Sequence, residues 1–384
     1  MRNIITALAI AFILYIFTFH IDGEIGIILI AFMIFAPLTS LFFAWYGRKR
    51  VKISFDCDGY VKKGSKLTVD VTVEKTGFFP LGIVEIKTAG SEVFSGSGKS
   101  YKLSILGSEK RKFSYEMNAD TGGNGEISVV SARSCGFMGF ISFRITTPLP
   151  QPKSVGVIPE IPRIKASSGL FRSIADSVLT SDDEENSESA VLFSSNVAPG
   201  YEHREYVQGD PMKRVNWKLS AKKNKLMVRL DEAAASVQPL IALDLFRSSK
   251  DDPAKAVLNE EQLIVTVFGL LTLLVNQGIP TTFVYYGTEG DAVTESVDTP
   301  EYPPQLLLKV LAAKVRTDKR IDLADKSACS CVIASTDCGE EISAMIASFE
   351  DKDSLSLIGY GPECRNITDQ PMWYLDGDNN FKMV

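Results

Sequence analysis

Two long apolar runs open the chain. Residues 4–19 are interrupted only by Thr6, Tyr15 and Thr18, and residues 25–46 hold Thr39 and Ser40 in an otherwise apolar stretch. A stretch of about 20 apolar residues crosses a bilayer core as a helix. The pattern predicts two transmembrane helices, the first extending through Ile21, joined by a tight hairpin over residues 20–24 that carries Asp22 and Glu24. Pro37 is tolerated inside such a helix. A cleavable signal peptide is the simpler alternative for the first run. No small-residue cleavage site follows it, however, and a second apolar run comes at once.

From residue 51 to about 160 the period changes to two. Residues 66–74 alternate apolar and polar positions strictly. Segments 82–88, 99–106, 110–117, 125–131 and 139–145 continue the theme between clusters of Gly, Ser, Asn and Asp. Short strands at such spacing predict an antiparallel β-sandwich of the Ig-like type. From Pro239 the pattern alternates strand and helix. Leu240–Asp244, Thr281–Tyr286, Cys331–Ser335 and residues 354–360 read as strands, and residues 260–277, 305–315 and 340–350 read as helices, the first closed by Gly278. That order predicts a doubly wound α/β domain. The expected organisation is a transmembrane hairpin (1–50), a β-sandwich (51–160), a linker with an acidic loop (161–200), and a signature segment with the α/β domain (201–384).

Charge places these parts relative to the membrane. Arg2 precedes the first run, Arg48, Lys49, Arg50 and Lys52 follow the second, and the hairpin has no Lys or Arg. The positive-inside rule puts both flanks, and the body attached to them, in the cytoplasm. Trp45 and Tyr46 fall where an interfacial aromatic belt is expected. A net charge of −6 over 384 residues argues against a nucleic-acid binder. With His20 and His203 the only histidines, a His-rich metal site is excluded. Cys57, Cys135, Cys329, Cys331, Cys338 and Cys364 have neither disulfide-scaffold nor zinc-ligand spacing and read as unpaired thiols, as a cytoplasmic body requires.

Between the folded parts, residues 170–179 read as a short helix and residues 181–189 (SDDEENSES) as a solvated loop. Gly96-Ser-Gly-Lys-Ser100 imitates the end of a phosphate-binding loop. Val93 stands where the first glycine is needed and a strand pattern follows, so a hairpin turn is expected instead.

The densest unusual stretch is residues 204–229. It holds Arg204, Lys213, Arg214, Lys218, Lys222, Lys223, Lys225 and Arg229 against Glu205 and Asp210. Asp210-Pro211 is a helix-start signal for a short helix to about Lys222, which places Arg214, Trp217 and Lys218 on one face and Val215 and Leu219 on another. Such a patch suits an acidic partner or anionic lipid headgroups; the plainer account is internal pairing of Arg204, Glu205, Asp210 and Arg214 with solvated lysines around them.

Arg204-Glu205-Tyr206, Gly209-Asp210, Arg214, Trp217-Lys218 and Ser220-Ala221 resemble the signature of the DUF fifty-eight family, whose name records an unknown function. The order of the parts along nearly the whole chain is similar to that family's. The resemblance implies a bacterial or archaeal membrane protein, often encoded beside a MoxR-type AAA+ ATPase and sometimes a transglutaminase-like membrane protein. It brings no catalytic residues with it.

Asp244-Leu-Phe-Arg-Ser248 is similar to the metal-adhesion motif D-x-S-x-S of von Willebrand factor A domains, and Thr336-Asp337 resembles the later aspartate of that fold. The domain is therefore expected to be von Willebrand factor A-like. A hard cation such as Mg²⁺ needs several oxygen ligands. Asp244, Ser248 and Asp337 offer them, but Phe246 replaces the first serine. A degenerate site, with Asp244 capping a loop or paired to a base such as Arg247, is the simpler expectation.

No G-x-S-x-G, H-E-x-x-H or complete phosphate loop occurs. His203, flanked by Glu202 and Glu205, is the one candidate base for an enzyme. The sequence thus favours a membrane-anchored, cytoplasm-facing, non-catalytic scaffold, with a MoxR-type ATPase as partner. Arg204, Glu205, Tyr206, Gly209, Asp210, Arg214, Trp217, Lys218 and Ser220 are its candidate partner-binding residues. A metal-dependent ligand-binding module is the alternative, and no small-molecule substrate site is expected.

Overall fold

Helices apolar on every side are stable only where water is absent, in a core or in lipid. Two such helices begin the computed structural model, which describes residues 2–20, 23–77, 81–96, 98–105, 110–137, 139, 141–185, 198–206, 215–223, 225–232, 238–247, 252–317, 320–323, 328–337, 339, 342–343, 346, 354–364 and 368–384. They are α1 (Arg2–His20) and α2 (Gly23–Gly47). Leu8, Phe12, Ile27 and Phe35 are exposed, so no protein core covers these surfaces. The two helices pack closely: a Cβ on Gly26 would lie 2.3 Å from Thr18 Oγ1. Their connection is shorter than the expected 20–24 hairpin, because His20, Gly23 and Glu24 are helical. Glu24 sits in the first turn of α2, where the helix dipole favours an anion.

The alternating segment that follows builds β1 (Val51–Cys57), β2 (Tyr60–Lys62), β3 (Lys66–Lys75), β4 (Ile83–Gly90), β5 (Phe94–Ser95), β6 (Ser100–Ser104), β7 (Lys110–Ala119), β8 (Gly123–Cys135), β9 (Ser142–Arg144) and β10 (Lys153–Ile158). One sheet runs β1-β3-β7-β5, the other β2-β10-β8-β4-β6 with β9 on β8. Pairing is antiparallel except between β10 and β2. Leu67, Val69, Val71 and Val73 point inward from β3 and meet Val84, Ile86, Ile127 and Val155 of the facing sheet. The segment around Gly96 and Gly98 is a turn, both glycines having positive φ. It is not a hairpin, however: β5 pairs β7 and β6 pairs β4, so the turn crosses between sheets.

The rest comprises α3 (Gly169–Glu185), β11 (Ala198–Glu205), α4 (Trp217–Lys223), β12 (Met227–Glu232), β13 (Leu240–Asp244), α5 (Pro253–Asn276), β14 (Thr281–Tyr286), β15 (Ala292–Val297), α6 (Tyr302–Ala312), β16 (Cys331–Ser335), β17 (Leu355–Ile358), β18 (Met372–Leu375) and β19 (Phe381–Met383). The seven-stranded order is β15-β14-β13-β16-β17-β18-β19. The five central strands are parallel and the two edges antiparallel. Every residue of β13 and β16 is buried, as strands covered on both faces must be.

Helix α5 starts earlier than the expected residue 260, because Asp252 caps it by accepting from Ala254 N at 3.3 Å and Pro253 fits its first turn. Like α2, α5 is long and apolar enough to cross a membrane, but most of it, including Leu263, Val267, Phe268 and Leu271, is buried, so it is the core helix of this layer. Helix α3 carries Asp182–Glu185 into what reads as a solvated loop; residues 186–189 of that loop are outside the described set. Of the helix expected over 340–350, only Ile342, Ser343 and Ile346 are described.

The sandwich and the α/β part touch through polar pairs. Lys63 Nζ meets Glu261 Oε1 at 2.7 Å, Lys314 Nζ meets Glu126 Oε2 at 3.2 Å, and Asn124 Nδ2 donates to Leu311 O at 2.7 Å.

Candidate functional site

In the parallel sheet the chain leaves β13 for β14 on one side and returns to β16 on the other. The carboxyl ends of β13 and β16 therefore flank the switch point, where open α/β sheets form their ligand crevice. Register places Asp244 opposite Ser335, with Asp337 two residues on. The two aspartates do converge here, but on an arginine. Arg320 Nη1 donates to Asp244 Oδ2 at 2.8 Å, to Ser335 Oγ at 3.1 Å and to Asp337 O at 3.2 Å, while Nη2 donates to Asp337 Oδ2 at 2.9 Å. The guanidinium carbon lies 4.0 Å from the centroid of the Phe246 ring. That distance gives a cation–π contact. Phe246 thus offers no oxygen, and its ring packs against the cation that fills the crevice.

Backbone pairing delivers Arg320 to this place. Arg247 N donates to Arg316 O at 2.8 Å and Arg316 N to Leu245 O at 3.3 Å, laying the segment after α6 along the strand ends. Tyr286 OH donates to Arg320 O. Ile321 and Leu323 anchor the segment in the core.

Asp244 is 1% exposed and the Arg320 side chain 12%. Burial raises the Asp244 carboxyl above its usual range, opposed by the hydrogen bond and charge of Arg320. The expected pairing of Asp244 with Arg247 is corrected. Arg247 instead holds Glu260, with Nε to Oε1 at 2.8 Å and Nη2 to Oε2 at 2.7 Å, because its side chain leaves the strand end toward α5. Ser248 lies outside the described residues.

The second candidate region is built on the β11–β12 ribbon, in which Arg204 pairs Val228 and Glu205 pairs Met227. Tyr206 N donates to Leu226 O at 2.8 Å, extending the ribbon. The helix after it begins at Trp217, not at Asp210-Pro211. Asn216 is its cap, with Oδ1 accepting from Leu219 N at 3.1 Å and its carbonyl from Ser220 N at 2.8 Å. Val215 cannot be helical, because it bridges to Val228. Gly209, Asp210, Pro211 and Arg214 lie outside the described residues.

Ser220 is buried, and its hydroxyl accepts from Met227 N at 2.8 Å. It pins α4 to β12 and offers nothing to a partner. Trp217 is 60% exposed. Lys218, Lys222 and Lys223 are exposed beside it and, among the described residues, form no ion pair. Of the predicted partner-binding residues, Trp217 and Lys218 are therefore on the surface and Ser220 is structural.

Elsewhere, burial pushes the Cys331 thiol up to about 12, so it is an inert core thiol. Glu295 accepts from Tyr285 OH at 3.0 Å, from Tyr302 OH, and from Lys309 Nζ at 2.9 Å, beside a cavity of 480 Å³. Burial pushes the Glu295 carboxyl up, but these donors outweigh it and hold it below the ordinary value.

No local pattern marks Arg320, which lies 76 positions from Asp244. The one available hint was Phe246: a ring in place of a hydroxyl asks what cation it faces.

Residues 202–291 match the family described as Protein of unknown function DUF58. That match takes in the end of β11, β12, α4, β13 with Asp244, α5 and β14, a narrower span than the near-whole-chain resemblance of the sequence. No curated protein matches the chain. Among solved structures, the chain is similar to the CARDB domain of the PF1109 protein from Pyrococcus furiosus, with 13% identity, 29% of this chain and 94% of that one covered, and a TM-score of 0.23. It is also similar to a cohesin module from a Clostridium perfringens family 33 glycoside hydrolase, with 12% identity, 29% and 99% coverage, and a TM-score of 0.24.

Proposed function

We propose, starting from a chain whose residues 202–291 match the DUF58 family, that the protein is a membrane-anchored, non-catalytic docking module whose von Willebrand factor A-like domain faces the cytoplasm. Helices α1 and α2 are the anchor, and the basic residues Arg48, Lys49, Arg50 and Lys52 favour the cytoplasmic side for everything after them. The sheet order, with its antiparallel edge strand β15 beside β14, supports the von Willebrand comparison.

The observation that carries the docking reading is the exposed Trp217 among Lys218, Lys222 and Lys223. Tryptophan dominates binding energy at protein interfaces, and unmatched lysines select an acidic surface. The partner that the family resemblance points to is a MoxR-type AAA+ ATPase. A photo-crosslinking residue placed at Trp217 in the full chain, in native membranes, should capture that ATPase, and Lys218→Glu with Lys222→Glu should abolish capture. Normal protein levels with no crosslink to the ATPase would sink the pairing.

A second reading, a hard cation at the crevice, has one observation in its favour: Asp244 Oδ1 is buried without a hydrogen-bond partner among the described residues. The site as arranged does not fit a metal, because Arg320 already takes Asp244 Oδ2, Ser335 Oγ and Asp337 Oδ2. Calorimetry with Mg²⁺ or Mn²⁺ separates the readings: the guanidinium account expects no heat of binding in the native chain, and saturable binding at millimolar metal would overturn it.

A further inference from the structure

The β8–β9 connection stands beside α2, not away from it. Gly136 is pressed so closely against α2 that a Cβ there would lie 2.3 Å from Ser40 Oγ. The Phe137 ring packs edge-on to Phe43 of α2, with centroids 5.4 Å apart. Ser40 and Phe43 precede the end of α2 at Gly47 by seven and four residues. At 1.5 Å per residue the loop therefore reaches about 10 Å down the helix. Segments that lie in a membrane interface bury their apolar faces about 5–10 Å deep.

The loop has the chemistry for that depth. Phe137 is 38% and Ile141 46% exposed, both turned away from the sandwich core. Backbone groups at membrane depth must be satisfied internally. Gly136 N donates to Ile141 O at 3.1 Å, and Gly139 N donates to Gly136 O at 2.9 Å. The rim above is basic. Lys49, Arg50 and Arg144 are exposed, and Thr146 N donates to Arg48 O at 2.8 Å, joining the loop's return strand to the basic turn after α2. Arg144 also lies directly opposite Arg133 in the β8–β9 pair, though Arg133 has Glu85 on its other side. Like charges facing across a ladder are costly without a counter-charge. Anionic lipid headgroups supply one.

We infer that the β8–β9 connection inserts into the membrane through its described residues Gly136, Phe137, Gly139 and Ile141, with Phe137 and Ile141 at the headgroup–acyl boundary and anionic headgroups against Lys49, Arg50 and Arg144. The loop is a second fastening that holds the sandwich flush against the bilayer. The inference rests on α2 being a membrane span.

The test uses the full chain in vesicles of phosphatidylcholine and phosphatidylglycerol, with Trp45, Trp217 and Trp373 replaced by Phe. One variant adds Phe137→Trp and another Phe35→Trp within α2. Lipids brominated near the headgroup should remove about half or more of the residue-137 emission, as an interfacial position requires. Quenching at residue 35 by lipids brominated deep in the acyl chains, without headgroup-proximal quenching at residue 137, overturns the loop and leaves the anchor standing. Quenching at neither overturns the anchor itself. Should the tryptophan-depleted chain fail to fold, a phospholipid with a headgroup-proximal photoreactive group, used on the native chain, should label residues 136–141. Labelling confined to α1 and α2 would overturn the loop.

Discussion

The switch-point crevice and the surface of α4 use the same ingredients, a cation beside an aromatic ring, in opposite ways. In the crevice Arg320 is nearly buried over Phe246, and Asp244 and Asp337 answer its charge. On α4, Trp217 stands exposed and the neighbouring lysines have no acidic partner among the described residues. Burial accounts for the difference. A charge removed from water must find its counter-charge inside the protein, whereas an exposed lysine keeps its hydration at little cost. The crevice is thus completed from within, and the α4 lysines stay in water.

The largest effect that would break this comparison lies in the crevice. Arg320→Met strands the Asp244 carboxylate and should cost about 3–5 kcal/mol in denaturant unfolding of the full chain, the usual loss when one partner of a buried pair is removed. A loss near zero would mean that the crevice is not closed by this pair. Next, Ser220→Ala leaves the Met227 N–H without its acceptor and should cost about 1–3 kcal/mol. The same substitution should release α4 from β12, seen as faster amide exchange over residues 217–223. Unchanged exchange would remove Ser220 from the scaffold under Trp217.

A smaller effect appears as a pH slope. Glu295 is held below its ordinary value, so its contribution is complete above that value and fades as pH falls through the depressed one. The Lys309 ammonium is raised by the same cluster, so its share is present below its ordinary value and fades only as pH rises through the raised one. Glu295→Gln should flatten the acid limb of a stability–pH curve, and an unchanged limb would assign it to other carboxylates. The smallest stability effect belongs to α4. Trp217→Ala should stay within about 0.5 kcal/mol of the native chain, as surface substitutions do, while losing the crosslinked partner. A large stability loss there would make Trp217 a packing residue.

How legible these regions were in the sequence follows from how local their physics is. Leu240–Asp244, Thr281–Tyr286 and Cys331–Ser335 were readable to the residue, because a doubly covered strand is a continuous apolar run. The edge strands β15 and β19 were not, because exposed or half-buried polar positions such as Thr294, Glu295 and Lys382 dilute the pattern. The motif around Trp217 was visible, yet its helix start was misplaced. Asp210-Pro211 and Asn216 are both plausible caps, and only the bridge between Val215 and Val228 decides for the later one. Arg320 was invisible because its role depends on a crossover that returns it to Asp244, and no local pattern encodes that return.

The guanidinium account of the crevice is tested most directly by a double-mutant cycle at pH 7 on the full chain, with Asp244→Asn, Arg320→Met and the pair. If Arg320 is the crevice's own cation, the two losses are strongly non-additive, with a coupling of about 2–3 kcal/mol, the upper part of the range for contacting residues. Losses that add to within about 0.5 kcal/mol, as they do for independent sites, would show that Asp244 and Arg320 do not depend on one another and would contradict the account.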